Sequence, residues 1–177
     1  VKDLSPVLRG IKDQNPDAFI GITYPPDTIL ASRQAREVGL NPKFFYASVG
    51  TAFQLYKNVM QANTEGVIGM GSWSVKTSPE AKAYFDAHVK KFNKEPDRWA
   101  SGHAWAGLQI LQQAVEKAGL DRKALREHIA KNEFQTILGG IRFQGSENAS
   151  IPGTVSQWQG NDFEVVGPKD RATAQLN

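Results

Sequence analysis

Apolar residues recur at helical spacing from the start of the chain. Leu4, Val7, Leu8 and Ile11 occupy i, i+3, i+4 and i+7, which predicts a helix with one buried stripe. Asn15-Pro16-Asp17 breaks it, and 18–23 reads as a short buried strand. Pro25-Pro26-Asp27-Thr28 opens a second helix. Proline fits its first turn, Asp27 offers an acceptor to the free N–H groups, and Gly39 stops it. An aromatic-rich strand over 43–49, a helix over 51–60 and a strand over 66–70 follow. Strand, helix, strand, helix, strand at this spacing predicts right-handed crossovers and a parallel sheet.

After residue 72 the pattern changes. Ser78-Pro79 opens a helix with Ala81, Phe85, Val89 and Phe92 on one face, ending before Glu95-Pro96. A longer helix follows, its predicted buried stripe being Ala104, Leu108, Leu111 and Val115, closed by Gly119. Asp121 caps a third helix with Leu125 and Ile129 turned inward. The tail reads as β: 136–143, then 154–158 and 163–166, with Gln159-Gly160-Asn161-Asp162 as a hairpin turn. Trp105 and Trp158 read as core. The three middle helices have no sheet next to them in sequence. Either they pack on the late strands or they cover a sheet from sequence that is not here, and the second is the expectation.

Composition narrows the function more by exclusion than by signal. The 177 residues are 40% hydrophobic and 22% charged, with a formal net charge of +3 and no cysteine. Disulfides, thiolate nucleophiles and cysteine-ligated metals are thereby excluded. Basic residues are dispersed, without the clustered stripe that a nucleic-acid surface needs. No apolar run approaches the ~20 residues of a membrane-spanning helix. His88, His103 and His128 fall on three different predicted helices without carboxylates at ligand spacing, so no metal site is expected. There is no G-x-S-x-G elbow and no phosphate-binding P-loop, and Gly66, Gly69 and Gly71 are in the wrong order for a dinucleotide fingerprint. Neither catalysis nor a cofactor has positive support.

An ordered set of short strings carries a resemblance. It runs through Asp3-Leu4-Ser5-Pro6-Val7-Leu8, Asn15-Pro16-Asp17-Ala18, Tyr24-Pro25-Pro26-Asp27, Gly39-Leu40-Asn41-Pro42-Lys43 and Ser48-Val49-Gly50. It continues with Glu65-Gly66-Val67-Ile68-Gly69, Ser78-Pro79-Glu80-Ala81, Lys94-Glu95-Pro96, Leu138-Gly139-Gly140-Ile141-Arg142-Phe143 and Gln157-Trp158. Together they cover nearly the whole chain, which resembles the solute-binding proteins of ABC transporters for branched-chain amino acids and amides. The resemblance implies an α/β, type I periplasmic-binding-protein fold, two Rossmann-like lobes joined by three crossovers, present as an incomplete C-terminal part. It places the second half of lobe 2 at 1–71, a crossover at 72–76, and the C-terminal part of lobe 1 at 77–150. The segment 151–177 then makes a second crossover, a terminal hairpin on lobe 2 and a tail.

The same resemblance implies a site. Ligands in open α/β folds lie beyond the carboxyl ends of parallel strands, here the loops around Tyr24 and around Tyr46, Ala47 and Ser48. Relatives that bind α-amino acids place an acidic residue in the second loop to pair with the ammonium. Ala47 and Ser48 stand there instead, which favours a ligand without an ammonium: an aromatic or 2-oxo acid, or an amide. Trp99 and Ala100 match an apolar cleft wall, and Gly71, Ser72, Trp73, Gly153 and Thr154 match the hinge. The implied function is a non-catalytic extracytoplasmic receptor, periplasmic or lipid-anchored, for a small carboxylate-bearing solute (a branched-chain or hydrophobic amino acid, an aromatic or 2-oxo acid, or an amide), with an ABC permease and the missing N-terminal half of the protein as partners. The rival is a ligand-sensing domain of the same fold in a regulator or receptor. A nucleotide-binding enzyme is the remote third reading.

Overall fold

The computed structural model describes residues 2–177. Helix α1 (Ser5–Asp13) carries the predicted stripe only in part: Leu8 is buried, while Leu4 and Ile11 pack at its margin and Val7 faces out. Strand β1 (Ala18–Ile20) is shorter than the predicted 18–23 and half-exposed rather than buried, because it forms an edge of its sheet. Helix α2 (Pro25–Glu37) begins and ends as its prolines and Gly39 dictate. Strand β2 (Phe44–Tyr46) leads into a 3-10 turn (Val49–Ala52) and helix α3 (Gln54–Met60), where one continuous helix is expected. Strand β3 (Ile68–Gly71) lies parallel to β2, as β2 does to β1.

The chain then leaves this sheet for helices α4 (Pro79–Phe92), α5 (Ala100–Ala118) and α6 (Arg122–Lys131). Ser78 caps α4 by accepting from the Ala81 N–H, and Asp121 caps α6 through the Lys123 and Ala124 N–H groups. The predicted single strand at 136–143 is instead a hairpin of β4 (Glu133–Thr136) and β5 (Gly139–Gln144), extended by β6 (Glu147–Asn148). The late strands therefore do give the helices a surface: Ala106, Ile110 and Ala114 of α5 pack with Phe134, Ile137, Leu138 and Ile141. Finally β7 (Thr154–Gln159) pairs antiparallel with β3, and β8 (Asp162–Gly167) with β7. Both residues of the connecting turn have positive φ, 52° at Gly160 and 79° at Asn161, the twist a two-residue hairpin favours. The first sheet thus runs β1-β2-β3-β7-β8, and the chain forms a five-stranded sheet unit and a helical unit.

Two expectations about α5 and its neighbours are corrected. The face that turns inward is Gly102, Ala106, Ile110 and Ala114; the predicted stripe of Ala104, Leu108, Leu111 and Val115 turns outward or stays at the margin. Close approach selects glycine at the start of this face: a Cβ on Gly102 would stand 2.6 Å from the buried Trp73 ring and 3.4 Å from Leu138 of the hairpin. Trp105, expected in the core, is 45% exposed, whereas Trp158 is buried as expected. Together with Phe92, Leu108 and Leu111 it leaves an apolar surface on the outer side of α4 and α5.

Candidate functional site

The carboxyl ends of β1, β2 and β3 lie side by side, as parallel pairing requires. Thr28, fully buried in the first turns of α2, shares a hydrogen bond with the Thr23 hydroxyl at 2.7 Å and so fixes the loop that carries Tyr24. Past β2 the Ala47 N–H donates to the Ile68 carbonyl at 2.9 Å, which buries the Ala47 methyl. Ser48 then adopts φ 54° and ψ −154°, a conformation that costs a non-glycine residue of order 1–3 kcal/mol. It is held by its own carbonyl, which accepts from the Thr51 hydroxyl at 2.7 Å and from the Met70 N–H at 3.2 Å. The second loop is therefore fixed rigidly against β3 and offers no acid.

The two segments predicted as hinges, 83 residues apart at Gly71 and Thr154, are register partners in the β3–β7 pair, and the Thr154 hydroxyl donates to the Gly71 carbonyl. A Cβ on Gly71 would stand 2.4 Å from the Ser156 hydroxyl, so the close approach requires glycine there. Ser72 donates from its N–H to the Arg98 carbonyl at 2.8 Å and from its hydroxyl to the Trp99 carbonyl at 3.1 Å. Trp73 is fully buried beneath α5, and Gly153 borders open space. Beside the crossover, Lys76 pairs with the buried Glu164, which also accepts from the Thr173 hydroxyl at 2.6 Å. That bond to Glu164 raises the Lys76 pKa above the usual lysine range.

A cleft of about 560 Å³ opens between these strand ends, the first turns of α5 and the β5 hairpin. Its walls include Tyr46, Met70, Trp99, His103, Ile151 and Val155, and no carboxylate side chain lines it. Met70 and Val155 are cross-strand partners, both part-exposed on the cleft face. Among the described residues no group of His, Asp and Glu is placed to hold a metal ion, and no helix is long and apolar enough to cross a membrane.

Of the predicted site residues, Tyr46, Trp99, Gly71, Ser72, Gly153 and Thr154 meet in this cleft. Tyr24 does not: it caps α2 at the end of β1, 74% exposed, with its ring in solvent. Ala47, Ser48 and Trp73 are buried behind the wall, and Ala100 is the half-buried first residue of α5. Met70, Val155 and His103 complete the cleft without having been foreseen. Met70 and Val155 are brought together by a strand register between segments far apart in sequence, and His103 by the way the first turns of α5 pack beside them, neither of which a local pattern reveals. Arg98, buried beside the Trp99 wall, carried no sequence signal at all.

Two α/β units meet across the paired Gly71 and Thr154, with an aromatic-walled cleft beside the strand ends, the kind of concave, largely apolar surface that suits a small molecule. Residues 1–162 match the family described as periplasmic binding protein, and the chain belongs to that family. It is 24% identical over 159 residues to the leucine-, isoleucine-, valine-, threonine- and alanine-binding protein of Pseudomonas aeruginosa, covering 89% of this chain and 42% of that protein. The crystal structure of a leucine-binding protein from Thermotoga maritima superposes with a TM-score of 0.78 at 26% identity, covering 96% of this chain and 50% of that one. The ABC-transporter solute-binding protein of R. palustris in complex with benzoate does so with a TM-score of 0.81 at 15% identity, over 99% and 49% of the two chains. The fold is that of the type I periplasmic binding proteins, and the chain spans about half the length of these relatives.

Proposed function

We propose that the chain is part of a solute receptor that closes around a small carboxylate-bearing molecule and hands it to an ABC permease on the outer side of the cell membrane. The observation that carries this reading is the cleft at the strand ends, aromatic on two sides through Tyr46 and Trp99 and without an acidic side chain. An α-amino acid would bury its ammonium against such a wall without a counter-charge, at a cost of several kcal/mol. A hydrophobic or aromatic acid, a 2-oxo acid or an amide avoids that cost. The benzoate held by the R. palustris relative is a ligand of this kind, whereas the names of the other relatives record amino acids.

In this reading the sheet unit, residues 1–71 with the 154–167 hairpin, is lobe 2 and residues 77–150 belong to lobe 1. The crossovers at 72–76 and 151–154 form the hinge, and the outer apolar face of α4 and α5 is covered by the rest of a two-lobed receptor. Binding free energy drives closure about that hinge. Tyr24, exposed at the end of β1, closes over the ligand on the lobe 2 side, and Trp99 supplies an apolar wall of the cleft.

Calorimetric titration of the full-length protein with benzoate and with leucine tests both the ligand class and the residues. Benzoate is expected to bind more tightly than leucine, and Tyr24→Ala or Trp99→Ala to weaken binding tenfold or more. Tighter leucine binding would reverse the ligand class, and unchanged affinity in both variants would remove the site.

A further inference from the structure

The segment 95–99 joins α4 to α5 and by sequence belongs to the helical unit. Yet, apart from bonds within the segment and to those two helices, its hydrogen bonds run to the sheet unit or to Ser72 as the chain leaves it. The Arg98 N–H donates to the Ala52 carbonyl at 2.8 Å, and the Arg98 carbonyl accepts from the Ser72 N–H at 2.8 Å. Glu95 accepts from Lys57 of α3 at 3.3 Å. The Trp99 ring packs at the edge of the cluster formed by Tyr56, Met60, Trp158 and Phe163.

Arg98 is the centre of this strap and is only 4% exposed. Its Nη2 donates to Asp162 of β8 at 3.0 Å and to Glu95 at 3.1 Å, Nε reaches Asp162 at 3.3 Å, and Nη1 donates to the Pro96 carbonyl at 2.9 Å. The guanidinium lies 5.2 Å from the Trp73 ring centroid and 4.9 Å from that of Phe85. A planar fork with five donors satisfies one carbonyl and two carboxylates at once, which a lysine ammonium on its single point charge does not reproduce. The charge is also balanced: one buried cation meets two carboxylates, and Lys57 compensates the second.

We propose that Arg98 is a positioning residue which, through Asp162, fastens the strap to the sheet unit as a third connection beside the two crossovers. Trp99 then moves with the sheet unit although it precedes a helix of the other. The ligand cleft keeps Tyr46 and Trp99 at a constant separation while the angle between the units changes, and closure repositions the α5 face against both. This rests on the cleft being the ligand site; the anchoring itself does not.

Amide hydrogen exchange on the full-length protein reads the anchoring directly, because the Arg98 and Ser72 N–H groups are themselves the strap's bonds. Asp162→Asn keeps the shape and removes the charge. It is expected to speed exchange at Arg98 and Ser72 at least tenfold, while the Trp158 and Gly66 amides, bonded across the β3–β7 ladder, change less than twofold. Arg98→Lys is expected to do the same. Unchanged exchange at Arg98 and Ser72, or an increase shared equally with Trp158 and Gly66, overturns the proposal, the second because a general loss of stability gives it. Titration with benzoate and leucine then reads the consequence: whichever binds the wild type is expected to bind Asp162→Asn three- to tenfold more weakly. Wild-type affinity in that variant, with exchange at the strap accelerated, would leave the strap in place and remove its effect on the cleft. If neither probe binds the wild type, the receptor reading fails while exchange still decides whether the strap exists.

Discussion

The sheet unit and helix α5 of the helical unit place their bulky side chains differently. In the sheet unit large aromatic side chains point inward: Tyr56, Trp158 and Phe163 are essentially inaccessible and pack with Ala52, Met60 and Val67. In the helical unit Trp73 and the β4–β5 hairpin supply the buried bulk, while the interior side of α5 is mostly small, Gly102, Ala106 and Ala114 beside Ile110, and its Trp105, Leu108 and Leu111 face outward. The difference teaches that side-chain size does not mark the core. Where a hairpin lies directly on a helix, close approach excludes bulk, and the bulk is left for a surface with room. The cleft sits where the two regimes meet, with rigid aromatic walls from the first and a small-residue helix face from the second.

The strongest way to break this contrast is to truncate one tryptophan from each side of it. Trp158→Ala removes a buried ring that packs at a tilt against Phe163, centroids 5.1 Å apart, and takes away the indole N–H that donates to the Thr51 carbonyl at 3.0 Å. A loss of about 3–5 kcal/mol is expected in urea unfolding. A loss below about 1.5 kcal/mol would mean that the sheet unit is not the closed core described.

How much of this could be read from sequence follows the same division. Caps and turns were legible because their chemistry is local: Ser78, Asp121 and the Gly160-Asn161 turn act within a few residues of themselves. The parallel start of the sheet was legible from the spacing of its elements. The inward face of α5 was not, since Ala104, Leu108, Leu111 and Val115 form the more hydrophobic stripe and only the approach of β4 and β5 selects the other. The single strand expected at 136–143 failed for a related reason, because pairing of Phe134 with Ile141 turns that segment back on itself at Ile137 and Leu138. At the cleft, Tyr46 and Trp99 could be named from strand ends and resemblance, but Arg98 depends on Asp162, 64 residues away, and no spacing rule reaches that far.

A smaller effect separates the units by pH. Tyr56 lies in the sheet core, its hydroxyl donating to Ser32 at 3.0 Å, and burial pushes its pKa up to about 12 against the smaller opposing effect of that hydrogen bond. Below pH ~10 the folded and unfolded chains both keep the proton, and the group makes no pH-dependent difference. Between about 10 and 12 the unfolded chain gives it up while the folded chain does not, so stability falls by up to about 2–3 kcal/mol. Urea midpoints over that range are expected to drop less in Tyr56→Phe than in the wild type. Parallel curves would mean that Tyr56 is not the group that titrates.

The smallest effect is the most pointed. Trp105 is the same residue type as Trp158, lies on a helix, and packs at a tilt against Tyr84 with centroids 5.3 Å apart, yet nearly half of it meets solvent. Trp105→Ala is expected to cost less than about 1 kcal/mol, because partial burial and one exposed aromatic pair are all that is lost. A cost approaching that of Trp158→Ala, measured on this chain, would restore the outward face of α4 and α5 to the core. A cost that is small in this chain but several kcal/mol in the full-length protein would show that face to be an interior surface completed by other parts of the receptor. The ratio of the two tryptophan effects thus measures how far the helical unit depends on a partner that the sheet unit does without.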